Sequence, residues 1–390
     1  MGTSSKIVKA ASTASAKTQP NQDNVTQDVV PTVKKDLIEE HLPPIGLVFT
    51  IIACSGFLFM FAFRDVFATG RNIGGAMDEA YLQFTKSTVF FDDSRGWKSQ
   101  QGGLSTIQPV TTDANNMGGL FVRKLGGAAA MALQFQKLMP VLMHPWEARW
   151  KHGHFRPLLW TAVIANALLG AFYASYLPDL STAGANGLAQ IFIVVLTIES
   201  LVVLYYLYTS RNVKKGDAVV MKDGKTPSSI PSRIVARTVA ICSGAVTLIA
   251  GRDLFFPGEI LDFIPRDDVY LEWTNAFFHS PPEGTVEAEE HGMTTALFIG
   301  DKFLSQLMAI NFLLLCLFKF VSAFVIRYGS DGSGEVKSRM IWKAQFLGNG
   351  LILSLFRLFA PAAKSASLDL RWHLMCLAYE TGILALYSFL

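Results

Sequence analysis

Apolar blocks about 20 residues long recur along this chain, and they constrain its fold more than any other feature of the sequence. A helix rises about 1.5 Å per residue, so a block of that length crosses the ~30 Å hydrocarbon core of a bilayer. Only 17% of the 390 residues are charged, against about 25% in soluble proteins, and 51% are hydrophobic. These values exclude an ordinary soluble enzyme, a disordered chain and a disulfide scaffold. They predict an all-α, polytopic integral membrane protein.

Hydropathy predicts eight candidate spans. Their expected bounds are 45–63, 120–143, 157–177, 188–208, 234–251, 296–321, 341–360 and 372–390. The apolar residues run continuously through each block instead of alternating with a period of two. This pattern favours transmembrane helices over the strands of a barrel.

The loops between the spans alternate in charge. Basic residues concentrate in loops 144–156, 209–233 and 327–340, whereas loop 252–293 contains two arginines and ten acidic residues. Because basic loops stay in the cytoplasm, both termini are predicted to be cytoplasmic, and the long loops 64–118 and 252–293 to lie outside or in a lumen. The pattern fits an endomembrane and the plasma membrane equally well.

The layout divides the chain into four regions. We expect a disordered cytoplasmic tail over 1–44, four spans over 45–210, a basic cytoplasmic linker over 211–233 and four further spans over 234–390. The net charge of +3 gives no reason to expect a nucleic-acid partner. The expected partners are the lipid bilayer and a polar solute, proton or cation. The acidic outer loop is interpreted as a solvated face or as a surface for a protein partner.

The two sets of four spans repeat one another. The first spans match through Cys54-Ser55-Gly56 with Arg64-Asp65 and, at identical spacing, Cys242-Ser243-Gly244 with Arg252-Asp253. Later spans match through Gln134 and Asn311, Asn166 and Asn349, and Glu199 and Glu380. Because each set has an even number of spans, both sets insert the same way up. We therefore predict two tandem parallel four-helix repeats, related by an axis along the membrane normal.

Each half carries short motifs of one known membrane family. They are Ser55-Gly56 and Ser243-Gly244 in the first spans, Gly126-Gly127 in the second, and Tyr205, Tyr206 and Tyr208 at the end of the fourth. On these features each half resembles the four-span family of tumour protein p53-inducible protein 11. The resemblance implies a membrane location and no catalytic residues. The chain departs from that family by being doubled and by having two long outer loops.

Two carboxylates fall near the middle of predicted spans, Glu199 in the fourth and Glu380 in the eighth. A carboxylate at the bilayer centre costs about 2.5–3.5 kcal/mol, so each must be compensated or neutral. The repeat places amides at a similar depth, Gln134 and Asn166 beside Glu199, and Asn311 and Asn349 beside Glu380. These polar groups form a candidate midplane site for a proton, a cation or a polar head group.

Lys137 lies about one turn inward of Gln134, and we expect it to pair with Glu199. The repeat aligns Lys137 with Leu314, so Glu380 is expected to lack a lysine and to be the proton carrier. The alternative is that all these groups only form hydrogen bonds between helices, each worth about 0.6–2 kcal/mol.

Two Arg-Asp pairs, Arg64-Asp65 and Arg252-Asp253, end the first and fifth spans at the outer interface. They are interpreted as interfacial anchors with local pairing or as a gate to an outer vestibule. No zinc, nucleotide-binding or protease motif is present, so we predict no cofactor, no metal and no catalytic residue.

The favoured function is that of a multi-pass, transporter- or channel-like protein with polar sites near the bilayer midplane. The alternative is a non-catalytic membrane scaffold or complex subunit. An intramembrane lipid enzyme, with Glu380 and His373 as an acid/base pair, is the third hypothesis. A polar cavity reaching either glutamate favours transport, whereas tight bonding of both glutamates to neighbouring helices favours the scaffold.

Overall fold

The computed structural model describes residues 45–85, 114–143, 156–209, 230–257, 260–261, 264, 266–274, 295–328 and 334–389. Every regular element within these ranges is a helix. The helices are α1 (Ile45–Phe67), α2 (Ala76–Phe84), α3 (Ala114–Met143), α4 (Arg156–Ser175), α5 (Leu177–Thr182), α6 (Asn186–Thr209), α7 (Ile230–Phe255), α8 (Asp267–Trp273), α9 (Thr295–Tyr328), α10 (Gly334–Ser365) and α11 (Arg371–Phe389).

Six helices contain segments long and apolar enough to cross a membrane, namely α1, α4, α6, α7, α9 and α10. They indicate a membrane protein and correspond to six of the eight predicted spans. The other two predicted spans are the helices α3, with 30 residues, and α11, with 19. Both are long enough, but polar residues such as Lys137 in α3 and Glu380 in α11 make them less apolar than the six.

Helices α3 and α9 cross each other. Each of the two packs more extensively against the rest of the bundle than any other helix does. The crossing is close, because a Cβ atom on Gly126 would lie 3.3 Å from the Cβ atom of Met308. Helix α3 also packs on α1 and α10, and α9 also packs on α7 and α4. Each therefore contacts a long helix from the other half of the chain, and the residues from 41 to 390 form one compact unit.

The two short helices, α2 and α8, also pack against the opposite half of the chain. A Cβ atom on Gly118 of α3 would overlap the carbonyl oxygen of Trp273 at the end of α8, and one on Gly300 of α9 would overlap that of Phe84 at the end of α2. Glycine therefore permits each close approach between backbones. In both places the short helix of one half rests on the crossing helix of the other half.

Aromatic clusters form beside these two approaches. The ring of Phe121 in α3 lies 5.2 Å from that of Trp273 and 5.2 Å from that of Phe356 in α10. The ring of Phe303 in α9 lies 5.8 Å from that of Phe84 and 6.1 Å from that of Tyr173 in α4. The two clusters join equivalent sets of helices, since each contains a crossing helix, a short helix and a long helix of the opposite half.

The spacing of these matching contacts corrects the alignment predicted for the second and sixth spans. Gly118 and Gly300 are 182 residues apart, and so are Phe121 and Phe303. The sequence alignment pairs Gln134 with Asn311, a spacing of 177 residues. The contacts therefore match each residue of α3 with a residue of α9 that lies five positions later than in the sequence alignment. This shift is more than one helical turn.

Several sequence predictions lie wholly or partly outside the described residues. They concern the tail over 1–44, the linker over 211–233, the basic loop over 144–156, and most of the two long loops 64–118 and 252–293. The predicted domain boundaries stay predictions.

The approach of α10 to α3 predicts a strong dependence on one glycine. A Cβ atom on Gly348 would lie 2.6 Å from the Cβ atom of Ala132, whereas a Cβ atom on Gly350 would meet nothing within 4 Å. We expect Gly348→Ala to lower the free energy of unfolding by about 1–3 kcal/mol, because the two helices must move apart. Gly350→Ala in the same helix is the control and should leave stability unchanged or slightly increased. Chemical denaturation in detergent measures both, and equal effects would contradict the close packing of α3 and α10.

Candidate functional site

A buried ion pair joins α3 to α6. The Nζ atom of Lys137 donates to Glu199 Oε2 at 2.7 Å and to Asn166 Oδ1 at 3.0 Å. The hydroxyl of Ser55 donates to Glu199 Oε1 at 3.2 Å. All four side chains are at most 5% exposed. The structure thus contains the predicted Lys137–Glu199 pair and adds Ser55 from α1 and Asn166 from α4 to it.

The packing of α6 explains why a carboxylate is tolerated in an apolar helix. Phe192, Leu196, Glu199 and Val203 are buried on one face, with the three- and four-residue spacing of helical turns. Leu201, which is 61% exposed, represents the opposite, apolar face. Glu199 therefore points at neighbouring helices and away from the side available to lipid, as charged side chains in membrane helices do.

A second buried ion pair joins α9 to α11. Lys319 Nζ donates to Glu380 Oε1 at 2.9 Å, and both side chains are at most 7% exposed. The prediction that Glu380 lacks a lysine was therefore wrong. Lys137 and Lys319 are 182 residues apart, which is the spacing of the matching contacts above. Lys319 therefore lies five residues after Leu314, the residue that the sequence alignment pairs with Lys137.

The second pair has fewer polar neighbours than the first. Asn349 corresponds to Asn166 and Ser243 to Ser55, and all four are buried. Within the described ranges, however, both side-chain polar atoms of Asn349 and the hydroxyl of Ser243 make no hydrogen bond. Glu380 thus accepts from Lys319 without the serine contact that Glu199 receives.

The Arg64-Asp65 pair at the end of α1 belongs to a larger buried cluster. Arg64 contacts its neighbour Asp65 at 2.9 Å and also forms an ion pair with Asp78 of α2. Asp78 in turn accepts the backbone N–H groups of Ile73 at 2.8 Å and Gly74 at 3.2 Å. Because Arg64 is only 2% exposed and pairs with Asp78, it is a buried link between α1 and α2.

The second half repeats this cluster. Arg252 contacts Asp253 and forms an ion pair with Asp267 at the start of α8. Asp267 also accepts the backbone N–H of Leu261 at 2.8 Å. Asp78 and Asp267 were not predicted from the sequence. The available signal was their position, 14 and 15 residues after the two arginines.

A second arginine distinguishes the outer cluster of the first half. Arg123 of α3 donates to Asp65 Oδ1 at 3.2 Å and to the hydroxyl of Thr85 at 2.9 Å. At the spacing of 182 residues, the corresponding position in α9 is Ser305. The residue that corresponds to Arg123 in the second half is therefore uncharged.

A further polar contact links the C-terminal end of α4 to α9. The hydroxyl of Tyr176, just after α4, donates to Gln306 Oε1, and Gln306 Nε2 donates to the carbonyl of Leu254 at 2.7 Å. Burial, with a smaller effect from Asp179, raises the pKa of Tyr176 to about 12. The phenol therefore stays protonated at neutral pH and remains the donor.

A cavity of about 60 Å³ lies between α1, α2, α3, α4, α6 and α9. Its lining on α3 runs from Val122 to Gln134, which is about 18 Å of helix. The polar residues of the lining are Arg64, Asp65, Tyr81, Arg123, Gln134, Tyr173 and Asn311. One water needs about 10–15 Å³, so the cavity accommodates several waters or a small ion.

Three lining side chains carry a polar atom with no hydrogen-bond partner among the residues the structure places. These atoms are Arg123 Nε, Gln134 Oε1 and Asn311 Oδ1, on side chains that are at most 4% exposed. Leaving such an atom unsatisfied in an apolar interior costs about 1–3 kcal/mol. One donor and two acceptors are thus available to a small polar guest. Gln134 and Asn311 share this cavity, although they do not occupy matching positions in the two crossing helices.

No protein-family model, no curated protein and no solved structure matches the chain.

The Lys319–Glu380 pair generates a stability prediction. Lys319→Met leaves Glu380 buried without a compensating charge, and we expect a loss of about 3–5 kcal/mol of unfolding free energy. The double variant Lys319→Met/Glu380→Met removes both charges and should return close to the wild-type value. Lys302→Met, at an exposed position in the same helix, is the control and should change stability by less than about 0.5 kcal/mol. If the double variant is as unstable as Lys319→Met, the ion pair does not account for the loss.

Proposed function

We propose that this chain is a multi-pass membrane protein of the transporter or channel type, which binds a small polar solute or ion in the cavity between α3 and α9. The observation that carries the proposal is the presence in one cavity of two buried amide oxygens, Gln134 Oε1 and Asn311 Oδ1, that have no partner among the described residues. Buried polar atoms of this kind in membrane helices are characteristic of solute and ion pathways.

The proposal includes eight spans arranged as two parallel repeats. Helix α3 contacts α1, α9 and α10, so its charged side chains have protein around them and need not face lipid. The recurrence of the glycine, phenylalanine and lysine contacts at 182 residues supports the internal repeat. Four spans per half agree with the resemblance to the p53-inducible protein 11 family. Eight spans together with the basic loops favour cytoplasmic termini.

The alternative function, a non-catalytic scaffold or complex subunit, is favoured by the two ion pairs. Glu199 and Glu380 are each bonded to a lysine on a neighbouring helix, and both are at most 2% exposed. Such pairs also serve to hold helices in register. The lipid-enzyme hypothesis receives less support, because Glu380 is engaged with Lys319 and His373 stacks on Phe356.

The arrangement of the spans predicts which positions are accessible from outside. In a variant without native cysteines, we expect an impermeant maleimide to label Ser94→Cys, Ser181→Cys and Ser280→Cys in intact cells or oriented vesicles. Ser228→Cys and Ser330→Cys should react only after permeabilisation, since eight spans place them on the cytoplasmic side. Labelling of positions 280 and 330 from the same side would contradict the topology.

Transport is tested in proteoliposomes with three probes, namely protons, potassium and chloride. We expect the wild-type protein to pass at least one of them, and Gln134→Leu/Asn311→Leu to reduce that flux to the level of protein-free liposomes, because the polar lining is lost. The matched control is Gln136→Leu, since Gln136 is equally buried on α3 but lies outside the cavity lining.

Two outcomes would oppose the proposal. Equal loss of flux in Gln136→Leu would show that the cavity residues have no special role. If the wild-type protein passes none of the three probes and is impermeable to water and urea in an osmotic swelling assay, the scaffold function is the better account.

A further inference from the structure

We propose that the Lys137–Glu199 pair is a proton-binding site reached from the outer face through the cavity, and that the Lys319–Glu380 pair is its structural counterpart. This inference rests on the proposed function and deepens it by identifying the proton as the ion bound. It also reverses the expectation from sequence that Glu380 is the proton carrier.

The inner end of the cavity lies one helical turn from the ion pair. On α3 the lining ends at Gln134, and Lys137 follows three residues later. On α4 the lining ends at Leu169, and Asn166, which contacts Lys137, lies three residues before it. Three residues correspond to about 4.5 Å of rise along a helix, so on both helices the ion pair lies one turn beyond the end of the cavity lining.

The groups along the cavity suit a water-borne proton. Asp65 and Arg123 lie at the outer end, and Asn311 and Gln134 lie deeper. The unpartnered oxygens of the two amides are available as hydrogen-bond acceptors for waters. A volume of about 60 Å³ admits several waters and excludes a large solute. The volume of the cavity and the polar groups that line it therefore both favour the proton as the ion bound.

Four helices contribute to the surroundings of Glu199. Lys137 faces it from α3 and Ser55 from α1, and Asn166 of α4 shares the lysine. The Cys54 thiol of α1 is close enough to interact electrostatically with both charges. When Glu199 accepts a proton from a hydronium ion in the cavity, which is left as water, its charge changes from −1 to 0. Lys137 keeps its own proton and its hydrogen bond to Asn166, so the pair gains one positive charge and α3 loses a strong contact with α6.

The side chains at the corresponding positions of the second half differ. At the spacing of 182 residues, Arg123 corresponds to Ser305 and Gln134 to Cys316, so α9 has neither a cation nor an amide at these two positions. The hydroxyl of Ser243 makes no hydrogen bond within the described part of the chain, whereas Ser55 donates to Glu199. The two pairs share their lysine and glutamate and differ in their access to the cavity.

Infrared difference spectroscopy of the full chain in lipid tests the proposal directly. Acidification from neutral pH should produce the carbonyl band of a protonated, buried carboxyl group in the wild-type protein. We expect Glu199→Gln to lose this band and Glu380→Gln to retain it. Lys137→Gln/Glu199→Gln, which leaves no uncompensated charge, covers the case in which Glu199→Gln fails to fold, and it should lose the band as well. Proton uptake into proteoliposomes, followed with a pH-sensitive dye, is measured on the same variants and should fall to background only where the band is lost.

The outcomes separate this inference from the proposed function. A band that persists in Glu199→Gln, or that disappears only in Glu380→Gln, overturns the assignment of the proton site. Proton uptake by a wild-type protein that shows no such band overturns it too, while leaving the proposed function in place. A band that depends on Glu199 in a protein that transports nothing supports the proton site and contradicts the transport function.

Discussion

Charges buried among apolar helices must be compensated, and this constraint decides which helices of the bundle are neighbours. An uncompensated buried charge costs several kcal/mol, so each of the two buried glutamates requires a cation from another helix. Lys137 of α3 meets Glu199 of α6, and Lys319 of α9 meets Glu380 of α11. The two outer arginines meet Asp78 and Asp267 in the same way and attach the short helices. Ion pairs thereby link each crossing helix to the last helix of its own half.

Close backbone packing then joins the two halves. Glycines at 118, 126, 300 and 348 lie where a Cβ atom would overlap or crowd a neighbouring helix, and three of these approaches link α3 to elements of the second half. Lipid provides no hydrophobic drive for association of apolar helices, so such contacts depend on close van der Waals packing and hydrogen bonds. The result is an interlocked bundle in which α3 and α9 are largely surrounded by protein, which is why α3 tolerates Arg123, Gln134 and Lys137.

The same architecture accommodates a functional difference between the halves. The lysine–glutamate pairs and the aromatic clusters match, whereas the polar lining of the cavity comes from α3 and its neighbours in the first half together with Asn311 of α9. One such difference is Arg123 of α3, which corresponds to Ser305 of α9 at the spacing of the matching contacts.

The sequence alone determined the apolar blocks, the helical class and the Lys137–Glu199 pair, because block length and three-residue spacing follow directly from helix geometry. It did not determine the partner of Glu380. Apolar spans have similar residues on successive helical turns, so two spans can be aligned at more than one spacing. The alignment that pairs Gln134 with Asn311 therefore competes with the one that pairs Lys137 with Lys319. Asp78 and Asp267 follow no periodic pattern. Only the tertiary structure decided these points, because the partner of a buried charge depends on where helices cross, and crossing positions depend on side-chain packing between segments distant in the chain.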